Sequence, residues 1–324
     1  MILKTLTHIS RVLVGLLFIY SGFVKLVDPI GSQYKFQEYF SEGVLNMEFL
    51  IPYTLPFAIL LIVSELVLGV MLLVGFKPKF TVWSLFSLNL IFLFLTWYSY
   101  TYNKVTDCGC FGDALKLTPK ETFYKNVVFM IFIVILILGL RHIKPLISKK
   151  VGSLATYASI FFSLVIVYHV LNHLPIIDFR AYSIGTNIAQ GMEYQEGSDE
   201  VPPIHDFAIE TDDGDQLENM LAKEKAMLII LYNFDKTEKE GLPAISKVAA
   251  DAKTKGYEVY VLTASYIEDL AATQKEMGLP YTFGFCDETA LKTVIRANPG
   301  VVTVEKGVIV GKWNWTDADD ITLR

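Results

Sequence analysis

The run LPFAILLIVSELVLGVMLLVGF, residues 55–76, carries a single charge in 22 positions, at Glu65. A helix needs about 20 predominantly apolar residues to cross a bilayer, so this stretch separates a membrane protein from a soluble one. Four more stretches have the same character: Ile9–Val27, Phe80–Tyr102, Phe123–Leu140 and Leu154–Leu174. The first resembles a signal peptide in position, but LVGLLFIYSGFVKLVDP (13–29) lacks a small-residue cleavage site and is followed by further spans, so it reads as retained. Five spans account for a composition that is 52% hydrophobic with a mean hydropathy of +0.41.

Charge divides the chain. Residues 1–174 hold 14 Lys/Arg against 8 Asp/Glu, whereas residues 175–324 hold 14 against 26. An apolar, mildly basic half is thus joined to an acidic, aqueous half, and the acidic surface argues against nucleic acid as a partner. Segments 1–11, 76–80 and 141–150 contain eight basic residues and no acid, while 25–53 and 103–125 mix six basic residues with acids. The positive-inside rule makes the first set cytoplasmic. The expected location is the cytoplasmic (inner) membrane, with the N-terminus inside and the C-terminal domain periplasmic or otherwise extracytoplasmic. The expected divisions are 1–150, a four-helix transmembrane domain; 151–174, a fifth span; 175–203, a linker or docking segment; and 204–324, an external domain.

That orientation gives meaning to TDCGCFGDAL (106–115), which holds two of the three cysteines. Disulfides persist outside the cytoplasm. A Cys-x-Cys ring is small and strained, hence easily reduced, and Gly109 supplies the freedom such a turn needs. Cys108 and Cys110 therefore read as redox-active thiols. The alternatives are half a zinc site, for which further ligands are lacking, a structural disulfide that would constrain little chain, or a chance pair.

Charges inside spans suggest function. Glu65 lies in the middle of the second span, and Lys25 near the outer end of the first can lean toward it, as a structural lock or as cofactor-binding residues, a proton-handling group beside a bound lipid-soluble electron acceptor. Asn89 reads as a bond to a neighbouring helix. His169 and His173, one turn apart, read as interfacial residues, since two His without a third ligand make a poor metal site. The segment GSQYKFQEYFSEGVLNMEFL (31–50) reads as a short surface helix covering the bundle.

In the external half, strands at AMLIILYNF (226–234), YEVYVLTA (257–264) and YTFGFC (281–286) alternate with helices at 240–256, 267–278 and 288–297. A hairpin turning at Lys306-Gly307 follows. This order predicts an α/β fold with a partly parallel sheet. Phe179, Tyr182 and Ile184 are candidate anchors for the linker. Cys286, at the end of the third strand, falls on the sheet edge where such folds place their sites, and is either a resolving thiol or a buried, inert one.

RVLVGLLFIYSGFVKLVDP (11–29), SELVLGVMLLVGF (64–76) and DCGCFGDALKLTPKETFYKN (107–126) resemble the DoxX superfamily of four-helix membrane proteins, and in particular its MauE-like branch, over residues ~6–141. The resemblance implies a bundle near a quinone pool, with Cys108 and Cys110 at the family's cysteine positions and Lys25 and Glu65 at its recurrent charges. It also implies disulfide chemistry alongside a thioredoxin-like partner or an exported thiol protein. The order over 204–316 resembles the thioredoxin fold, with Pro299 at the position of its cis-proline. The dithiol of that fold is missing: YNFDKTEKEGLP (232–243) stands in its place, leaving Asp235 and Pro299 as candidate partner-binding residues. The expected activity is a quinone-linked membrane thiol–disulfide oxidoreductase or its accessory subunit. The alternatives are a non-enzymatic scaffold and a subunit of a sulfur-compound:quinone oxidoreductase.

Overall fold

The computed structural model describes residues 1–105, 109, 111–115, 117–194 and 201–324. The chain forms two compact units, Met1–Leu171 and Asn172–Arg324. Cys108 and Cys110 lie outside the described residues.

The first unit is helical. Its elements are α1 (Ile2–Val27), α2 (Pro29–Phe40), α3 (Thr54–Val74), α4 (Pro78–Tyr102), α5 (Pro119–Leu138) and α6 (Lys149–Asn172, which ends one residue inside the second unit). Among the described residues, five helical segments are long and apolar enough to cross a membrane, built on α1, α3, α4, α5 and α6. Several begin earlier than the hydropathy predicts, because polar N-terminal turns continue the helix: α5 opens at Thr118, whose side chain exchanges bonds with Glu121 in a capping box. The expected surface helix is α2, started by the Asp28 side chain accepting from Gly31 N–H. Its Phe36 and Phe40 pack on Phe57 in the first turn of α3.

Packing inside the bundle is closest between α1 and α3. A Cβ placed on Gly22 would lie 2.7 Å from Leu66 Cγ and 3.2 Å from Glu65 Cβ, so only glycine lets these helices approach at that level. Val14, Phe18, Leu68, Leu72, Leu85, Ile133 and Leu136 fill the space between the helices. At the basic end, the buried Arg11 donates from Nε to Leu72 O, from Nη2 to Leu73 O and from Nη1 to Lys144 O. It thereby satisfies carbonyls that the end of α3 leaves without helical partners.

The second unit is built on a seven-stranded sheet of order β2-β1-β5-β4-β3-β6-β7. It runs through α7 (Ile188–Gly191), β1 (Glu210–Thr211), β2 (Gly214–Asp215), α8 (Leu217–Ala222), β3 (Ala226–Ile230), α9 (Leu242–Thr254) and β4 (Glu258–Thr263). It continues with α10 (Leu270–Met277), β5 (Thr282–Phe285), α11 (Glu288–Val294), β6 (Gly300–Glu305) and β7 (Val308–Asn314). β3, β4 and β5 are parallel, and β6 and β7 complete an antiparallel hairpin. Asn298–Pro299 is cis. This is the mixed, thioredoxin-like sheet the strand order predicts.

Alternation along the strands builds two cores. Leu228, Ile230, Tyr260, Leu262 and Val302 face α8, α11 and the connecting residues Tyr182, Ile188, Ile204, Phe207 and Ile209. Met227, Ile229, Val259, Val261 and Val301 face α9 and Ala318. Period-two side-chain direction makes this division inevitable once both faces are covered.

Two expectations about the connecting segment change. Tyr182 is a buried anchor, but Phe179 and Ile184 are exposed, and Ile188 and Ile204 take the inward positions instead. The irregular backbone here does not follow a strand or helix period, so apolar character alone did not single out the inward residues. His173 Nδ1 lies 2.5 Å from Asp317 Oδ1, which gives that histidine a hydrogen-bond partner. Among the described residues, no three His, Cys, Asp or Glu side chains gather as a metal set.

Candidate functional site

Lys25 occupies the last turn of α1 and Glu65 the centre of α3, and both side chains are buried. Lys25 Nζ lies 2.9 Å from Glu65 Oε2 and 3.2 Å from Oε1, and it donates to Ser21 Oγ at 2.6 Å. Ser21 is one helical turn before Lys25, so it can reach the same ammonium. The ion pair brings together the two charged positions singled out in the sequence. Ser21 was not among them: a serine one turn from a buried lysine was its only signal.

The pair is flanked by two small cavities. One, of about 50 Å³, is lined by Lys25, Lys35, Tyr39, Phe92, Thr96 and Gly109. The other, of about 20 Å³, is lined by Ser21, Glu65, Asn89, Lys125 and Asn126. A water molecule needs roughly 10–15 Å³ of such space and two to four polar partners, so both have room for water, although Phe36, Leu61, Phe92 and Leu95 make the wall of the first mostly apolar. Asn89 Nδ2 donates to Asn126 O, and Asn126 Nδ2 donates to Thr96 Oγ1. A polar seam therefore runs from Glu65 through α4 and α5 to the first cavity.

Gly109, between the two cysteines in sequence, lines the first cavity. Its φ is +62°, and a Cβ there would fall 2.8 Å from Lys35 Cγ. The expected need for glycine thus has two causes, a left-handed backbone and the stem of Lys35 pressed against it. On either side, Val105 and Phe111 are buried. Phe111 packs against Tyr20 at 5.7 Å between ring centres and beneath Lys125 Nζ at 4.3 Å. The described neighbours of Cys108 and Cys110 are thus fixed to the bundle near the Lys25–Glu65 pair.

In the second unit, residues 232–243, which the sequence reading sets in the place of a dithiol, are tied down by hydrogen bonds. Thr237 Oγ1 donates to Asn233 O and bonds Asn298 Oδ1, while Asn298 Nδ2 donates to Asn233 O. Glu238 N–H donates to Asn298 O. Asp235 is exposed, whereas Pro299 is buried. Cys286 is 1% exposed and packs in the core with Tyr182, Leu262 and Ala290. Burial, with the charge of Asp287, pushes its thiol up to about 11 despite backbone hydrogen bonds. The first amides of α11 do not favour a thiolate, because the Asp287 carboxylate already accepts from Thr289 and Ala290 N–H.

A second buried charge cluster escaped the sequence reading. Asp178 accepts from Arg180 Nε at 2.7 Å and Nη2 at 2.9 Å, and from Lys312 Nζ at 2.6 Å. Burial alone would raise the Asp178 carboxyl, but the two cations outweigh it and hold it below its usual range. Burial and the nearby Arg180 push Lys312 down to about 8. The cluster joins the segment before α7 to β7, a pairing 134 residues apart that local pattern cannot reveal.

Among solved structures, the chain is similar to a thiol:disulfide interchange protein from Bacteroides sp., at 18% identity over 33% of this chain and 75% of that one, with a TM-score of 0.27. It is also similar to the thioredoxin domain of a thiol-disulfide oxidoreductase from Bacteroides vulgatus, at 18% identity over 33% of this chain and 81% of that one, with a TM-score of 0.27. No curated protein matches the chain. Residues 3–139, which contain Lys25, Glu65 and the Cys-Gly-Cys loop, match the family model of the methylamine utilisation protein MauE.

Proposed function

We propose that this chain is a membrane thiol–disulfide redox protein that works through Cys108 and Cys110 on thiols of exported proteins. The observation that carries the reading is Gly109 lining a water-sized cavity that reaches the buried Lys25–Glu65 pair. Converting two thiols to a disulfide releases two electrons and two protons. Exchange with a client proceeds through a mixed disulfide. The polar seam and the pair are this chain's equipment for moving the protons away. A membrane quinone is the acceptor we propose for the electrons. The described cavities beside the pair have room for water, and the role we give to Lys25 and Glu65 is proton handling. The second unit, on the extracytoplasmic side in this proposal, presents the client or a redox partner.

Replacing Cys110 by Ser in cells tests this directly. Reductant-sensitive adducts between Cys108 and exported proteins are expected. No adduct, together with an unchanged redox state of exported thiols, overturns the proposal. The tied-down residues 232–243, without a dithiol, and the buried Cys286 favour one second reading, a scaffold whose thioredoxin-like unit only binds a partner. That reading predicts full function of the Cys108→Ser/Cys110→Ser variant.

A further inference from the structure

A lateral groove of about 1130 Å³ opens on the first unit between α3, α4 and Ile160 of α6. Its walls are mostly apolar, including Val67, Met71 and Leu88, and Phe80, Trp83 and Ile91 on its rim are largely exposed. At one end stand Lys77 and Lys79, both exposed. In a bilayer this space is closed to water, and leaving it empty would forfeit the dispersion contacts of its whole lining. Something apolar fills it.

We propose that the occupant is an anionic phospholipid of the leaflet facing the basic loops, its acyl chain in the groove and its headgroup on Lys77 and Lys79. Charge is the first argument. Neither lysine forms an ion pair with a described residue, and segments 1–11, 76–80 and 141–150 on that side contain no acid. Basic side chains at the membrane surface select anionic headgroups. Length is the second. From Lys77 to Ile91 the helix rises about 20 Å at 1.5 Å per residue, enough for a chain to run from the headgroup past the midplane of a core about 30 Å thick. Trp83, one turn beyond Lys79, marks the level of the interface. A second copy of the chain is disfavoured as occupant, because a two-fold interface on this face sets Lys77 and Lys79 against themselves. A neutral lipophile would leave the two lysines without a counter-charge.

The test uses the full chain in mixed micelles, titrated with phosphatidylglycerol or phosphatidylcholine and read by native mass spectrometry and thermal shift. One phosphatidylglycerol per chain is expected to be retained in preference to phosphatidylcholine. Each of Lys77→Gln and Lys79→Gln should weaken it about fivefold, with phosphatidylcholine unaffected. Ser87→Trp, which fills the groove and keeps both lysines, should abolish retention. Equal retention of the two lipids, or an unchanged preference in the double lysine variant, overturns the proposal. So does efficient Ser87→Cys cross-linking between copies, which would put a second chain over the groove.

Discussion

Removing one member of the Lys25–Glu65 pair should do more harm than removing both. At 2.9 Å the Coulomb attraction is about 6 kcal/mol with an effective dielectric of 20, and it is opposed by several kcal/mol of desolvation for each ion. Lys25→Met leaves the Glu65 carboxylate, 1% exposed, without its cation, and Glu65→Leu strands the ammonium. Each single change should cost about 3–5 kcal/mol, a large part of an ordinary total stability. The double variant buries no charge and fits similar volume, so it should lie within about 1 kcal/mol of the parent. Full-length protein unfolded by SDS in mixed micelles gives the three stabilities, and the double-mutant cycle gives the coupling. The same variants also separate lock from relay. If the pair moves protons, the double variant folds but accumulates Cys108 and Cys110 in the reduced state, read by thiol alkylation in cells. A double variant whose cost equals the sum of the singles would refute the energetic argument. A stable double variant with normally oxidised cysteines would leave the pair a helix lock and nothing more.

Two further expectations follow from the second unit. Cys286 should resist alkylation in the native full chain at pH 7 and react only after unfolding, because its thiol is both buried and held at about 11. Rapid labelling under native conditions would contradict its placement. Lys312, at about 8 in the fold and near 10.4 when unfolded, stays charged in both states below about pH 8, where its burial penalty is fully present. Between about pH 8 and 10.5 the unfolded chain binds the extra proton, so the contribution of Lys312 to stability rises with pH, by up to about 3 kcal/mol. Pulse proteolysis of the second unit within the full chain, compared with Lys312→Met, measures this. The parent should gain on the variant from pH 7.5 to 10, and a falling difference would reverse the sign.

Much of the architecture is legible without coordinates, for reasons that differ between the units. The spans are visible because a bilayer demands about 20 apolar residues in a row, a local requirement that residues 55–76 meet on their own. The strands and helices from 226 to 314 are visible because period two and period 3.6 are local as well. Lys25 and Glu65 stand out through their cost: a charge in an apolar run needs a reason. Ser21, Asn126 and Lys35 do not, because a serine, an asparagine or a lysine among polar residues is unremarkable until the packing shows what it touches. The same holds for Asp178 and Lys312, and for Thr237 and Asn298, which bond each other across 61 residues of chain.

The sequence by itself determined that the chain holds five segments apolar enough to span a bilayer and then an α/β unit, and it singled out Cys108, Cys110 and two charges within those segments as candidates. The tertiary structure decided what each of these faces. It brought Lys25 onto Glu65 through the close approach at Gly22, set water-sized cavities on both sides of the pair, and laid Gly109 over one of them. It also sealed Cys286 in a core. Periodicity reports which side of an element is buried; which residues meet there depends on how the helices and strands pack, and that is set by contacts far apart in the chain.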